Sequence, residues 1–102
     1  MFVCSQAALP YLKKSRNAHI LSLSPPINLN PKWLTVFAPY TLSKYGMTLL
    51  SIGMAQEFKD YGICVNTLWP ETYIATAAVT NNIANDEAVD ICRKPDIMAD
   101  AA

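Results

Sequence analysis

Residues 39–62, PYTLSKYGMTLLSIGMAQEFKDYG, decide the reading of this chain. A proline opens the stretch and a glycine follows its end, which is the punctuation of a helix. Leu49, Leu50, Ile52, Met54 and Phe58 form its apolar face, as core or as a contact between subunits. Two short apolar runs flank the helix: residues 18–24, AHILSLS, and residues 63–69, ICVNTLW. Arg16-Asn17 and Pro25-Pro26 bound the first, and Gly62 and Pro70 bound the second. Both read as buried strands. Strand, helix and strand in that order imply parallel pairing through a crossover helix.

Outward from this unit the signals are weaker. Residues 2–15 carry Phe2, Val3, Ala7, Leu9 and Leu12 at roughly helical spacing and end in Lys13-Lys14-Ser15. Cations suit a helix C-terminus, and Pro10 predicts a kink or an early turn. Residues 25–38, PPINLNPKWLTVFA, form a long loop. Trp33, Leu34, Val36 and Phe37 make it too apolar for a disordered tether, so it reads as a pocket wall or lid. Residues 71–85 are a polar loop with a helical turn, 86–92 a short helix, and Pro95 opens a last helix. Two parallel strands do not make a stable sheet covered on both faces. The expected fold is α/β, the C-terminal half of a doubly wound parallel-sheet domain, incomplete within these 102 residues. The ending DAA supplies no obvious closing element.

Composition narrows the function. Hydrophobic residues make up 52% of the chain and charged residues 16%, enough for a core and unlike a disordered tail. Eight Lys+Arg balance eight Asp+Glu, which argues against a nucleic-acid binder and a polybasic membrane-surface module. So few charges suggest a surface that more protein covers. Cys4, Cys64 and Cys92 show no disulfide or Cys-x-x-Cys spacing, and Cys64 reads as a small buried hydrophobe. His19 is the only histidine, so no metal site is expected, and it reads as a surface or capping residue. No stretch reaches the ~18 uncharged apolar residues that span a bilayer.

The chemistry gathers on Tyr40 and Lys44. Residues four apart on a helix differ by about 40° in direction and about 6 Å in height, so the two share a face. An ammonium beside a phenol favours the phenolate, and a helix N-terminus acts in the same sense. A tyrosine so placed can give or take a proton. A lone Tyr-x-x-x-Lys is common by chance. Its weight comes from its place after a strand and a long loop and before a second strand that runs into Pro70.

With that context the chain resembles the short-chain dehydrogenase/reductase family. The resemblance rests on the strand AHILSLS, Tyr40-Thr41-Leu42-Ser43-Lys44-Tyr45-Gly46, Val65-Asn66-Thr67-Leu68-Trp69-Pro70, and the downstream Ile74 and Thr76. It implies a Rossmann-type fold and NADP- or NAD-dependent interconversion of an alcohol and a carbonyl. By the resemblance Tyr40 is the general acid/base, and Lys44 holds the nicotinamide ribose and lowers the Tyr40 pKa. Pro70, Ile74 and Thr76 meet the nicotinamide end, and Ser24 stands nearest to the family's carbonyl-polarising serine. Ser24 lies one residue before the matching position, which Pro25 occupies, and Ser22 is a second candidate. Glu71 stands where the family usually has glycine. Trp69 reads as a lining of the nicotinamide pocket or as core.

The glycine-rich phosphate turn that the family places after its first strand is absent, and its catalytic asparagine would fall just before Met1. The expectation is therefore a partial domain over 1–102, inactive alone, from a full-length oxidoreductase. A non-catalytic remnant or interaction module is the alternative. The resemblance further implies a small alcohol or carbonyl substrate, with lipid-like compounds included. It implies homo-oligomers through residues 2–15 and 45–58, and a peroxisomal or mitochondrial setting.

Overall fold

The computed structural model describes residues 1–35, 37–82 and 90–102. Its elements are α1 (Phe2–Leu12), β1 (His19–Leu23), α2 (Ala38–Glu57), β2 (Cys64–Leu68), α3 (Ala77–Asn82) and α4 (Asp96–Ala101). Single 3-10 turns lie at Pro31–Trp33 and Lys59–Tyr61. The chain divides into two compact units, Met1–Trp69 and Pro70–Ala102.

In the first unit β1 and β2 pair in parallel, from His19 opposite Cys64 to Leu23 opposite Leu68, with α2 as the crossover. Side chains alternate across the sheet. Ile20, Ser22, Val65 and Thr67 share the face turned inward. Ala18, Met54, Phe58, Ile63 and Val65 form the core, with Met1, Leu9, Leu12, Ile20 and Ala55 packed against it. Full burial of a side chain such as Phe58 or Met54 contributes about 1.5–3 kcal/mol. The opposite face carries His19, Leu21, Leu23, Cys64 and Asn66, all exposed. Cys64 is thus exposed rather than buried, because strand alternation puts it on the side away from α2. His19 is a surface residue, and its Nε2 accepts a hydrogen bond from Asn66 Nδ2 at 2.9 Å. That bond requires the Nδ1–H tautomer.

The helix ends follow from local chemistry. α1 keeps Pro10 inside it and stops at Leu12, short of the expected Ser15. Lys13 lies over the Tyr61 ring at 3.6 Å, tying the end of α1 to the turn after α2. In α2, Pro39 is the second helical residue, and the first bond runs from Thr41 N–H to the Phe37 carbonyl at 2.8 Å. α2 ends at Glu57, and the 3-10 turn hands the chain to Gly62, whose φ of 68° is left-handed. That conformation costs an L-residue roughly 1–2 kcal/mol and glycine almost nothing.

In the second unit Ile74 bridges Arg93 in parallel. Ala75 N–H donates to the Arg93 carbonyl at 2.8 Å, and Arg93 N–H to the Tyr73 carbonyl at 2.9 Å. Val79 of α3 is buried. The helix expected over 86–92 falls largely outside the described residues. α4 begins after Pro95, as expected.

Candidate active site

The parallel pairing brings the C-terminal ends of β1 and β2 to one edge of the sheet, where ligands of open α/β sheets bind. α2 begins beside that edge. Tyr40 is its third residue, in the turn whose backbone N–H groups carry partial positive charge. Tyr40 is 48% exposed. One turn on, Lys44 Nζ donates to the Leu23 carbonyl at 3.1 Å. Leu23 is the last residue of β1, so this bond fixes the start of α2 to the strand edge.

The stripe continues inward. Thr48, four residues after Lys44, is buried, and its hydroxyl meets that of Ser24 at 2.7 Å. Ser24 is only 1% exposed, and its N–H donates to the Leu68 carbonyl at 3.2 Å. Ser22 is also buried, and its hydroxyl donates to the Met1 sulfur at 3.4 Å. Tyr40, Lys44 and Ser24 therefore belong to one helix–strand junction. Tyr40 and Lys44 lie at its open end, and Ser24 in its sealed part.

Pro70, Ile74 and Thr76 belong to the second unit. Pro70 opens it, Ile74 is half-buried in the bridge to Arg93, and Thr76 is exposed with its N–H on the Ile74 carbonyl at 2.7 Å. Glu71 is exposed there, while Trp69, at the end of the first unit, is 43% exposed rather than core.

Two residues were not anticipated as contributors to the junction: Thr48 and Tyr45. Thr48 continues the Tyr40–Lys44 spacing by another four residues, a signal present in the sequence. Tyr45 Oη accepts from Asn28 N–H at 3.0 Å and donates to the Asn28 carbonyl at 2.8 Å. Nothing local in the sequence marks that pairing, because the two lie 17 residues apart.

Of the nicotinamide dinucleotide that the resemblance implies, Lys44 is the residue here that could hold one end. An ammonium has three N–H donors, and Leu23 takes one, leaving two for a vicinal diol. The pyrophosphate end has no cradle among the described residues. Gly46 and Gly53 lie inside α2, Gly62 lies in the turn before β2, and β1 runs into Pro25-Pro26 rather than a glycine turn.

Comparison with known proteins gives one consistent picture. A family model described as short chain dehydrogenase matches residues 1–87. The chain is 53% identical over 102 residues to hydroxysteroid dehydrogenase-like protein 2 of Xenopus laevis, and 52% over 101 residues to that of Homo sapiens. In each case 99% of this chain is covered but only 24% of the relative, so the chain spans about a quarter of their length. A crystal structure of a short chain dehydrogenase from Mycobacterium thermoresistibile superposes with a TM-score of 0.74 at 55% identity, covering 95% of this chain and 34% of that one.

Proposed function

The chain belongs to the short-chain dehydrogenase family, and from that premise we propose that it carries the proton-handling part of an NADP- or NAD-dependent oxidoreductase interconverting an alcohol and a carbonyl. The observation that carries the reading is the Lys44–Leu23 bond, which holds the Tyr40–Lys44 face at the C-terminal edge of the strands.

In this reading Tyr40 donates its phenolic proton to the carbonyl oxygen during reduction and recovers it during oxidation. Lys44 binds the ribose hydroxyls with its two remaining donors. Ser24 is the candidate for polarising the carbonyl, although its sealed contact with Thr48 favours a positioning role. Pro70, Ile74 and Thr76 are proposed to meet the nicotinamide end. The dinucleotide, when bound, supplies or accepts the hydride.

The segment is further proposed to be a partial domain, 1–102, that is inactive until joined to a glycine-rich phosphate-binding half. Its bare sheet face supports this. Homo-oligomers through α1 and α2 are part of the proposal, supported by exposed Tyr11, Leu49 and Ile52. So is the peroxisomal or mitochondrial setting, which microscopy of a tagged full-length form would test.

The functional test is a screen of ketones and aldehydes with NADPH and NADH, using a full-length domain that carries this segment. Cofactor oxidation with at least one carbonyl class is expected. No turnover with any class, in a domain that binds the dinucleotide, would overturn the oxidoreductase reading.

A further inference from the structure

Two consecutive turns of α2 reach two consecutive residues at the end of β1. Lys44 Nζ donates to the Leu23 carbonyl at 3.1 Å, and Thr48 Oγ1 meets Ser24 Oγ at 2.7 Å. The Leu23 carbonyl and the Ser24 N–H belong to one peptide group, and that N–H donates to the Leu68 carbonyl at 3.2 Å. A peptide group is planar and turns as a unit, so contacts that hold Ser24 also aim the Leu23 carbonyl. This one peptide is thus tied to α2 by Lys44 and, through the Ser24 side chain, by Thr48, and to the end of β2 by Leu68.

The ties differ in their surroundings. The Lys44 bond is exposed, so water competes for both of its partners. The bond between Thr48 and Ser24 is buried, with the two residues 3% and 1% exposed. Burying two hydroxyls costs a desolvation that their bond largely offsets, so an apolar pair would hold helix to strand equally well. What the hydroxyls add is direction, because an O–H···O bond has a preferred length and angle. A satisfied buried pair therefore specifies one arrangement. Ser51, the next buried hydroxyl of α2, shows the contrast: it donates to the Met47 carbonyl of its own helix at 2.9 Å and ties nothing across.

We infer that Thr48 is a positioning residue for Lys44: its buried bond to Ser24 locks the Leu23–Ser24 peptide against α2, so that the Leu23 carbonyl takes one donor of the ammonium and the other two stay available to a diol. The inference rests on the oxidoreductase reading for what Lys44 binds and on the hydrogen bonds alone for the lock.

Thr48→Val removes the hydroxyl and keeps the branched shape. In the full-length domain, titrated with NADPH and NADH by tryptophan emission, it should weaken dinucleotide binding about fivefold, the worth of one net hydrogen bond. Thr48→Ser should restore the affinity. In a Lys44→Met background Thr48→Val should cost no further affinity, because its effect passes through the ammonium. Ser24→Ala/Thr48→Val, which leaves neither hydroxyl unpaired, carries the same expectations if the single variant does not fold. Unchanged affinity, a loss that serine does not restore, or an equal loss with and without Lys44 would each overturn the inference. Should the wild-type domain bind neither dinucleotide, the oxidoreductase reading fails, and amide exchange then decides the lock. Faster exchange at Ser24 in Thr48→Val, relative to the amide of Met54 in α2, sustains it, and an unchanged ratio overturns it.

Discussion

Lys44 and Ser24 belong to the same junction, Ser24 through Thr48 one helical turn beyond Lys44, and face different environments. The Lys44 ammonium reaches the open edge of the sheet and satisfies one donor on the Leu23 carbonyl. Replacing it by methionine keeps most of the stem and removes the charge. In a full-length domain, Lys44→Met is expected to weaken dinucleotide binding by tenfold or more, the worth of one charge-assisted hydrogen bond, as read by fluorescence titration. Ser24 is the opposite case. Its hydroxyl is sealed against Thr48, and removing one partner leaves the other buried and unpaired. Ser24→Ala should therefore destabilise the domain by about 1–3 kcal/mol in urea unfolding. The double variant Ser24→Ala/Thr48→Val should cost less than the two singles summed, with a coupling of about 0.5–3 kcal/mol. A turnover loss from Ser24→Ala at unchanged stability would instead return Ser24 to the carbonyl.

The elements show which parts of the structure a local reading can reach. The strands at His19–Leu23 and Cys64–Leu68 lie inside the expected 18–24 and 63–69, because prolines and Gly62 mark their limits in the chain itself. The long helix was equally legible, and its last turn tightens into the 3-10 turn before Gly62. Cys64 was misread because an apolar run looks the same whether one face of a strand is covered or two. Tyr45 was missed for another reason: its partner Asn28 lies 17 residues away in the loop after β1, and only the fold brings the two together, whereas Thr48 continues the i+4 stripe from Tyr40 and Lys44 that the sequence shows. The family was legible because Tyr40 and Lys44 stand in a strand–loop–helix–strand context, and the short chain dehydrogenase model does match residues 1–87. At this scale Gly62→Ala should cost about 1 kcal/mol, seen as a lower urea midpoint, because a methyl group must adopt φ near 68°.

At the scale of the whole molecule, one face of the two-stranded sheet is bare and exposes Leu21, Leu23 and Cys64. Doubly wound sheets bury both faces, so this surface calls for a second layer. The 102-residue chain alone should therefore bind a hydrophobic dye and self-associate, and NADPH should leave its tryptophan emission unchanged. Saturable quenching by NADPH would show that no further half is needed. The account as a whole depends on proton transfer at Tyr40, and single-turnover carbonyl reduction by a full-length domain bearing Tyr40→Phe measures it directly. The predicted result is a fall of about a hundredfold or more in the chemical step with dinucleotide affinity retained; an unchanged rate would contradict it.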